Sequence, residues 1–444
     1  MPIINIKQIN IKRLRKQFSF NKPYEYKFSF EIFFFILIIL GIPLNLYKNR
    51  FYDNSWTVGE WLISYAGGFV RRGLPGELIK IISSKFSLSP ILLVWFLSIF
   101  SIVSLGLLIL YSCKNLFEKS FLLSQLIILA PISEDYLVRK DTLIVLFYGL
   151  SLLTLRLLFK GNINKITCIF IINLFSIIAI LSHESYGIWG LPSLIFILFL
   201  FERSNNKNLI KSSFLALFSL LPAFISFLLC WVFRGDLNQS LSIHQSWQTL
   251  SHLLPSSGAL QALKPSGAIA AIGYESSRVY SSSLISQFNL SVFWHPAMWL
   301  LTIFLTMRLF IGVEKNPNQD AKRFVVCFQL IAFLPMFLFV DIGRWIFMWL
   351  SSSALLFSFL ENIFGVNLVI QNALRIKGSR ILSKIIPGFN SIKNYNKFLL
   401  FIGIPHCCWS VGRFLVSNPV GFAIKNLIFY FKLFIIGLFH SRTI

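Results

Sequence analysis

Long, unbroken apolar runs recur along the chain, at 30–47, 91–113, 121–133, 142–159, 166–181, 187–201, 214–233, 292–311, 324–340, 345–360, 398–416 and 422–439. A helix needs about 20 apolar residues to cross the hydrocarbon of a bilayer, and most of these runs approach that length. A closed barrel, the other way to satisfy backbone groups in lipid, would require strict alternation along strands of about ten residues. These runs are continuously apolar, so helices are expected. With 56% hydrophobic residues and a mean hydropathy of +0.71, a soluble chain is excluded. The expected fold is all-α, a polytopic integral membrane protein with about 10–13 transmembrane helices. The weakest spans are 121–133, which is short, and the last two, which carry Arg413, Lys425 and Lys432.

Orientation follows from the basic residues. A tail at 1–28 with Lys7, Lys12, Arg13, Arg15, Lys16, Lys22 and Lys27 is expected in the cytoplasm, leaving 29–444 as one transmembrane domain. The first run is long for a signal sequence and leads into Lys48-Asn49-Arg50 with no small-x-small site, so it is expected to stay as an anchor. Alternation then places Lys114/Lys119, Arg156/Lys160/Lys165, Arg203/Lys207/Lys211, Arg308/Lys315/Lys322/Arg323 and the basic stretch from Arg375 to Lys397 inside. The outer loops become 48–90, 134–141, 182–187, 234–291 and 341–344, and nearly every acid outside the basic loops falls in them. Only the first outer loop, with Lys48, Arg50, Arg71, Arg72, Lys80 and Lys85, breaks the rule. Cations on the translocated side are tolerated where they serve a ligand. The net charge of +24 is spread over short loops, which favours anionic lipids over nucleic acid as partners. The six cysteines show neither CxxC nor zinc spacing and read as buried thiols; no metal ligand set is expected.

The densest polar chemistry lies at 51–77, with Asp53, Glu60, Glu77, the Arg71-Arg72 pair and several tryptophan and tyrosine rings in a glycine-rich backbone. The residues between the first two long runs read as amphipathic helices lying along the outer face. Glu134-Asp135-Tyr-Leu-Val-Arg139-Lys140-Asp141 packs five charges into eight residues beside the bilayer. Such a cluster is costly unless its charges pair with one another or serve a ligand. His183-Glu184 lacks the second histidine of a zinc-protease helix and reads as a sugar-binding pair, a proton shuttle or an interfacial cap. Asp341-Ile-Gly-Arg344-Trp345 interrupts an apolar run. Either Asp341 and Arg344 pair to fix the turn, or Arg344 binds a phosphate or sugar while Trp345 stacks on it.

An acid just outside the first span, juxtamembrane helices after it, and charged outer loops after the third and fifth spans resemble the GT-C superfamily of membrane glycosyltransferases and the related envelope polysaccharide polymerases. The likeness is architectural and covers about the first half of the chain. It implies a glycosyltransferase that moves a sugar or oligosaccharide from a polyprenyl-linked donor to a glycan or lipid-linked acceptor. Its site would lie on the outer face of a bacterial inner (plasma) membrane. On that logic Asp53 is the catalytic base, with Asp135 as the other candidate acid. Arg139 and Lys140, helped by Arg71 and Arg72, would hold the carrier phosphate, and Glu60, Glu134, His183, Glu184, Asp341, Arg344 and Trp345 would line the substrate. No outer loop carries Asp-x-Asp, so a divalent cation is left open. Two alternatives stand beside this reading: an O-antigen or capsule-type polymerase, and a transporter or flippase for a lipid-linked glycan, whose charges would line a path near the midplane.

Overall fold

The computed structural model describes residues 29–48, 56–134, 136–205, 208–254, 263–274, 294–312, 319–338, 341–364, 395–407 and 409–440. All regular structure among them is helical. Seven helices are long and apolar enough to span a bilayer: α1 (Phe30–Lys48), α4 (Pro90–Cys113), α7 (Asp141–Phe159), α8 (Lys165–Ser182), α9 (Ser185–Asn205), α16 (Ile342–Phe364) and α19 (Pro419–His440). The apolar run at 214–233 is a broken span. Its helices α10 (Leu209–Ser219) and α11 (Leu221–Val232) bend by 59° where Pro222 enters the second of them, and counting the pair as one crossing gives eight.

Helix α16 sits at the centre, with 83% of its spanning window buried, and packs chiefly on α7 and on the helix at Gln319–Phe333, then on α4. The outer helices show how one apolar segment serves two solvents. Along α4, Leu92, Phe96, Phe100, Val103, Leu107 and Tyr111 face outward, whereas Ser98, Ser101 and Gly106 are buried against neighbours. Small residues on the packed face let backbones approach, which is what stabilises helix pairs in lipid.

Three expected spans differ. Residues 121–133 form α5 (Lys119–Leu123) and α6 (Ala130–Ser133) joined by a non-helical link. Phe121 packs on Phe310 near the far end of the bundle, while the Ile132 carbonyl accepts from Asn45 near the other. Ser120 to Ser133 are buried throughout. Irregular backbone at such depth is tolerated only where protein covers it. Residues 398–416 fold as a hairpin of α17 (Tyr395–Phe401) and α18 (Val411–Ser417), whose non-helical tip holds Pro405 and His406. The run at 324–340 shortens to α15 (Gln319–Phe333) and a 3₁₀ turn, because Pro335, two residues past Phe333, cannot continue the helix and holds Leu334 out of it. One further apolar helix, α14 (Trp294–Gly312), completes the bundle.

One end of the bundle carries a cap with its own core. Helices α2 (Thr57–Trp61), α3 (Gly73–Phe86), α12 (Leu237–Gln248) and α13 (Gly267–Ile272) pack Val58, Trp61, Ile79, Ile243, Trp247 and Ile272 together. The Trp61 indole donates to the Val138 carbonyl, and Trp247 Nε1 donates to Leu62 O at 2.7 Å. The first bond ties the cap to the segment that leads into α7, and the second joins two parts of the cap. Helix α3 is amphipathic: Gly73, Pro75, Gly76, Ile79 and Ser83 face inward, and Leu78, Ile81, Ile82 and Phe86 are exposed. It is built to lie along an interface.

Candidate functional site

Beneath the cap the charged segments converge. Helices α3, α7, α9 and α16 begin there, and α8 and α11 end there. The N-termini of α3, α7, α9 and α16 bring partial positive charge to the cluster, which favours an anion. Asp141, in the first turn of α7, and Arg344, in the first turn of α16, lock the two central helices together. Arg344 Nε donates to Asp141 Oδ2 at 2.6 Å and Nη2 to Oδ1 at 2.7 Å. Arg344 also meets Asp341 at 2.9 Å and Glu60 at 3.9 Å. Glu60, presented by α2, lies 3.7 Å from Arg72 and 3.5 Å from His183. A second fork, Arg72 Nε and Nη2 on Glu184 at 2.7 and 2.6 Å, is reinforced by Arg71 at 3.2 Å.

The hairpin tip supplies a residue that the sequence did not point to, His406. Its amide donates to Glu134 Oε2 at 3.2 Å, its carbonyl accepts from Gly343 N at 3.0 Å, and its Nε2 lies 3.5 Å from Asp341. A side chain at Gly343 would strike the Pro405 carbonyl at 2.1 Å, so glycine is what lets the tip dock on α16. The one visible signal was a Pro-His pair interrupting an apolar run. Asp141 was visible only as the last charge of its segment, and nothing in the sequence marked it as the fork for Arg344.

Access is graded. Arg71 and Arg72 keep 27% and 25% of their side-chain surface exposed, and Asp341 and His406 keep 23% each. Asp141, Glu60 and Arg344 keep 0%, 3% and 4%. The rim can meet a ligand, while the floor holds the helices in register. Two rim residues, Arg72 at φ 65° and Asp341 at φ 72°, adopt the left-handed backbone region that costs a non-glycine residue energy. Strain of this kind, of order 1–3 kcal/mol, persists where surrounding contacts over-determine it.

Burial drives the Lys140 ammonium down to about 7, against the pull of Glu60. Its one hydrogen bond described here is to Arg72 O at 3.1 Å. Burial, then Arg344, also lower Arg139, whose guanidinium lies 3.7 Å from Asp341 and whose buried Nε finds no hydrogen-bond partner. Burial would raise Glu60, but Arg344 leads a group of cations that hold it at about 2. Burial, then Arg72, lower His183 to about 3, so the ring is neutral. Its Nδ1 accepts from Ser185 N at 3.3 Å, which puts the proton on Nε2, facing Glu60. Burial likewise lowers His406 to about 3.

Ten of the sequence-predicted positions therefore meet in one cluster: Glu60, Arg71, Arg72, Glu134, Arg139, Lys140, His183, Glu184, Asp341 and Arg344. Trp345 is buried beside them, its ring 6.2 Å from that of His183. It packs under the histidine instead of offering an open stacking face. The two candidate catalytic acids, Asp53 and Asp135, lie outside the described residues. Among the described residues, no group of three or more His, Cys, Asp or Glu is arranged to hold a metal ion. The long connection at 234–291 contributes through its described part, where His244 is buried within the cap.

No curated protein and no solved structure matches the chain. A family of membrane proteins matches residues 30–262, just over half of the 444, from α1 into the segment after α12. That span includes Glu60, Arg71, Arg72, Arg139, Lys140, Asp141, His183 and Glu184, and so the larger part of the cluster. The chain is an integral, multi-pass membrane protein, and it belongs to the family described as uncharacterised membrane protein Rv1490.

Proposed function

We propose that this protein is a membrane glycosyltransferase that takes a sugar or oligosaccharide from a polyprenyl-linked donor and passes it to an acceptor at the outer face of the membrane. The observation that carries the reading is convergence. Arg139, His183 and Arg344, separated by up to 205 positions in sequence, share one cluster at one end of the bundle, with cations on its rim. A flippase would distribute such charges along a path near the midplane, so gathering them at one end favours the enzyme. The exposed apolar face of α3, which starts at Gly73 beside Arg72, offers a lipid-linked substrate a route along the interface.

In this reaction the acceptor hydroxyl oxygen bonds to the anomeric carbon, the bond from that carbon to the phosphate oxygen breaks, and the phosphate leaves with the electron pair. Arg139 stabilises that leaving charge, because its half-buried guanidinium has an Nε donor to spare, and Lys140, fully buried at the N-terminus of α7, adds its positive charge through the field without touching the phosphate. Arg72 is already forked onto Glu184, and it acts by holding the rim in place. Asp53 takes the hydroxyl proton, a role resting on the likeness to GT-C enzymes. Glu60 is held too acidic and too deep to share that role. A polysaccharide polymerase would use the same cations on the same carrier chemistry, differing only in its acceptor.

Asp53→Asn tests the reading. Asparagine keeps the shape of the side chain but cannot take a proton, so transfer should fall by roughly a hundredfold to ten-thousandfold at normal abundance. Membranes would be assayed for surface glycan and for the pool of polyprenyl-linked sugar. A deletion strain with both unchanged would refute glycosyl transfer altogether.

A further inference from the structure

A side chain from a neighbouring helix sits inside the break between α10 and α11. Asn173, buried near the middle of α8, points its carboxamide into the gap. Its Nδ2 donates to Ser219 O at 2.8 Å, and its Oδ1 accepts from Ala223 N at 3.2 Å. Those two backbone groups stand four residues apart, so in an unbroken helix they would bond to each other. Nδ2 also donates to Ile169 O at 2.9 Å, within α8. One asparagine therefore satisfies both ends of the missing rung, as backbone groups inside a membrane protein require.

Pro222 does not account for the bend by itself. Lacking an N–H, it removes the rung to Phe218 O, yet it leaves the Ser219 carbonyl and the Ala223 amide able to pair. A side chain inserted into the ladder is a separate cause of a sharp kink, and here Asn173 supplies it.

The direction of the bend matters at the charged cluster. Helix α10 packs on α9, and beyond the break α11 runs along α8. The two helices keep one register, fifty positions apart, at Asn173 with Ala223 and again where the Cys230 thiol meets Ile180 O at 4.0 Å. The far end of α11 then holds both partners of one rim contact. Phe233 O accepts from Arg71 N at 3.0 Å, and Phe227 fills the space that Gly187 leaves, three residues past Glu184. Arg71 and Glu184 meet at 3.2 Å. With 12 residues α11 is about 18 Å long, so a change of about 10° in the bend would carry its end about 3 Å, as far as that contact is long.

We propose that Asn173 is a positioning residue for the charged site: its carboxamide, wedged into the broken helix, sets the course of α11 and so the place of Arg71 against Glu184. The residue acts from about two and a half turns below the cluster and touches no ligand. The proposal stands whether or not the protein transfers sugars.

The test is hydrogen–deuterium exchange on the full chain in lipid nanodiscs, read by mass spectrometry at residues 69–72, with peptides from α4 and α16 as references. Asn173→Leu removes both bridging bonds at nearly constant volume. Exchange at Arg71 should then quicken by about tenfold or more, the scale of one lost hydrogen bond, while α4 and α16 stay within about twofold of wild type. Asn173→Ser, too short to bridge the break, should give the same result, and it decides the matter if Asn173→Leu fails to fold. Pro222→Ala keeps the wedge, so exchange at Arg71 should remain within about twofold of wild type. Wild-type exchange at Arg71 in a folded Asn173 variant would overturn the proposal. Equal quickening in α4 and α16 would reduce Asn173 to a general stabiliser of the bundle, and a Pro222→Ala effect as large as that of Asn173→Leu would assign the bend to the proline; either result overturns it too.

Discussion

Replacing Arg344 with glutamine should be among the most damaging changes in the bundle, and more damaging than replacing its partner. Arg344 answers three carboxylates: Asp141 at 2.6 Å, Asp341 at 2.9 Å and Glu60 at 3.9 Å. Glutamine leaves Asp141, which has no exposed side-chain surface, without its fork. Breaking a buried pair from one side costs about 3–5 kcal/mol, because the remaining charge stays desolvated. Asp141→Asn removes one carboxylate of three and leaves Arg344 with two others, so its cost should be about half as large or less. In Asp141→Asn/Arg344→Gln no orphaned charge remains at the fork. The double variant should therefore recover much of the loss, with a coupling energy of about 1–3 kcal/mol. Unfolding would be followed by the fluorescence of the 11 tryptophans during titration of mixed micelles with a denaturing detergent. Arg344→Gln within about 1 kcal/mol of wild type, or a double variant as unstable as the summed singles, would refute the account of this fork as what joins α7 to α16.

Three further outcomes are expected. Arg139→Ala should abolish transfer, and Arg139→Lys should fail to restore it, since an ammonium lacks the planar fork; full activity in both, measured in membranes at equal abundance, excludes Arg139 from the carrier site. Because burial holds Lys140 at about 7, below the ordinary lysine value, turnover should fall as pH rises through that value, and Lys140→Arg should remove that limb of the pH profile. In the same window the unfolded chain binds a proton that the folded chain lacks, so Lys140 makes stability rise with pH from about 7 toward 10.5, and Lys140→Met should flatten that slope. In a background without the native cysteines, Lys264→Cys should react with a membrane-impermeant maleimide in intact cells and Lys377→Cys should not; the reverse pattern would place the cluster on the cytoplasmic side.

Helix class, most span positions and the identity of the charged segments were legible in the sequence, because each depends on local composition. An apolar run of spanning length has few alternatives in lipid, and charges beside a bilayer are costly enough to stand out. Ten candidate residues in four separate segments could be named from cost alone. What the sequence could not show was pairing, since Arg344 meets Asp141 across 203 positions and Arg72 meets Glu184 across 112. Which acid neutralises which base depends on the order in which helices pack, and no local pattern carries that order. The broken passages followed the same logic. Residues 121–133 and 398–416 are as apolar as a helix, and only the neighbours that bury their irregular backbone allow them to bend. His406 enters the cluster by that route, because Gly343 leaves room for the hairpin tip. Composition determined that the chain would live in a membrane and which residues would be expensive there; tertiary packing alone decided that those residues would meet at one end of the bundle, since long-range contacts set the positions of charges that local forces only require to be somewhere satisfied.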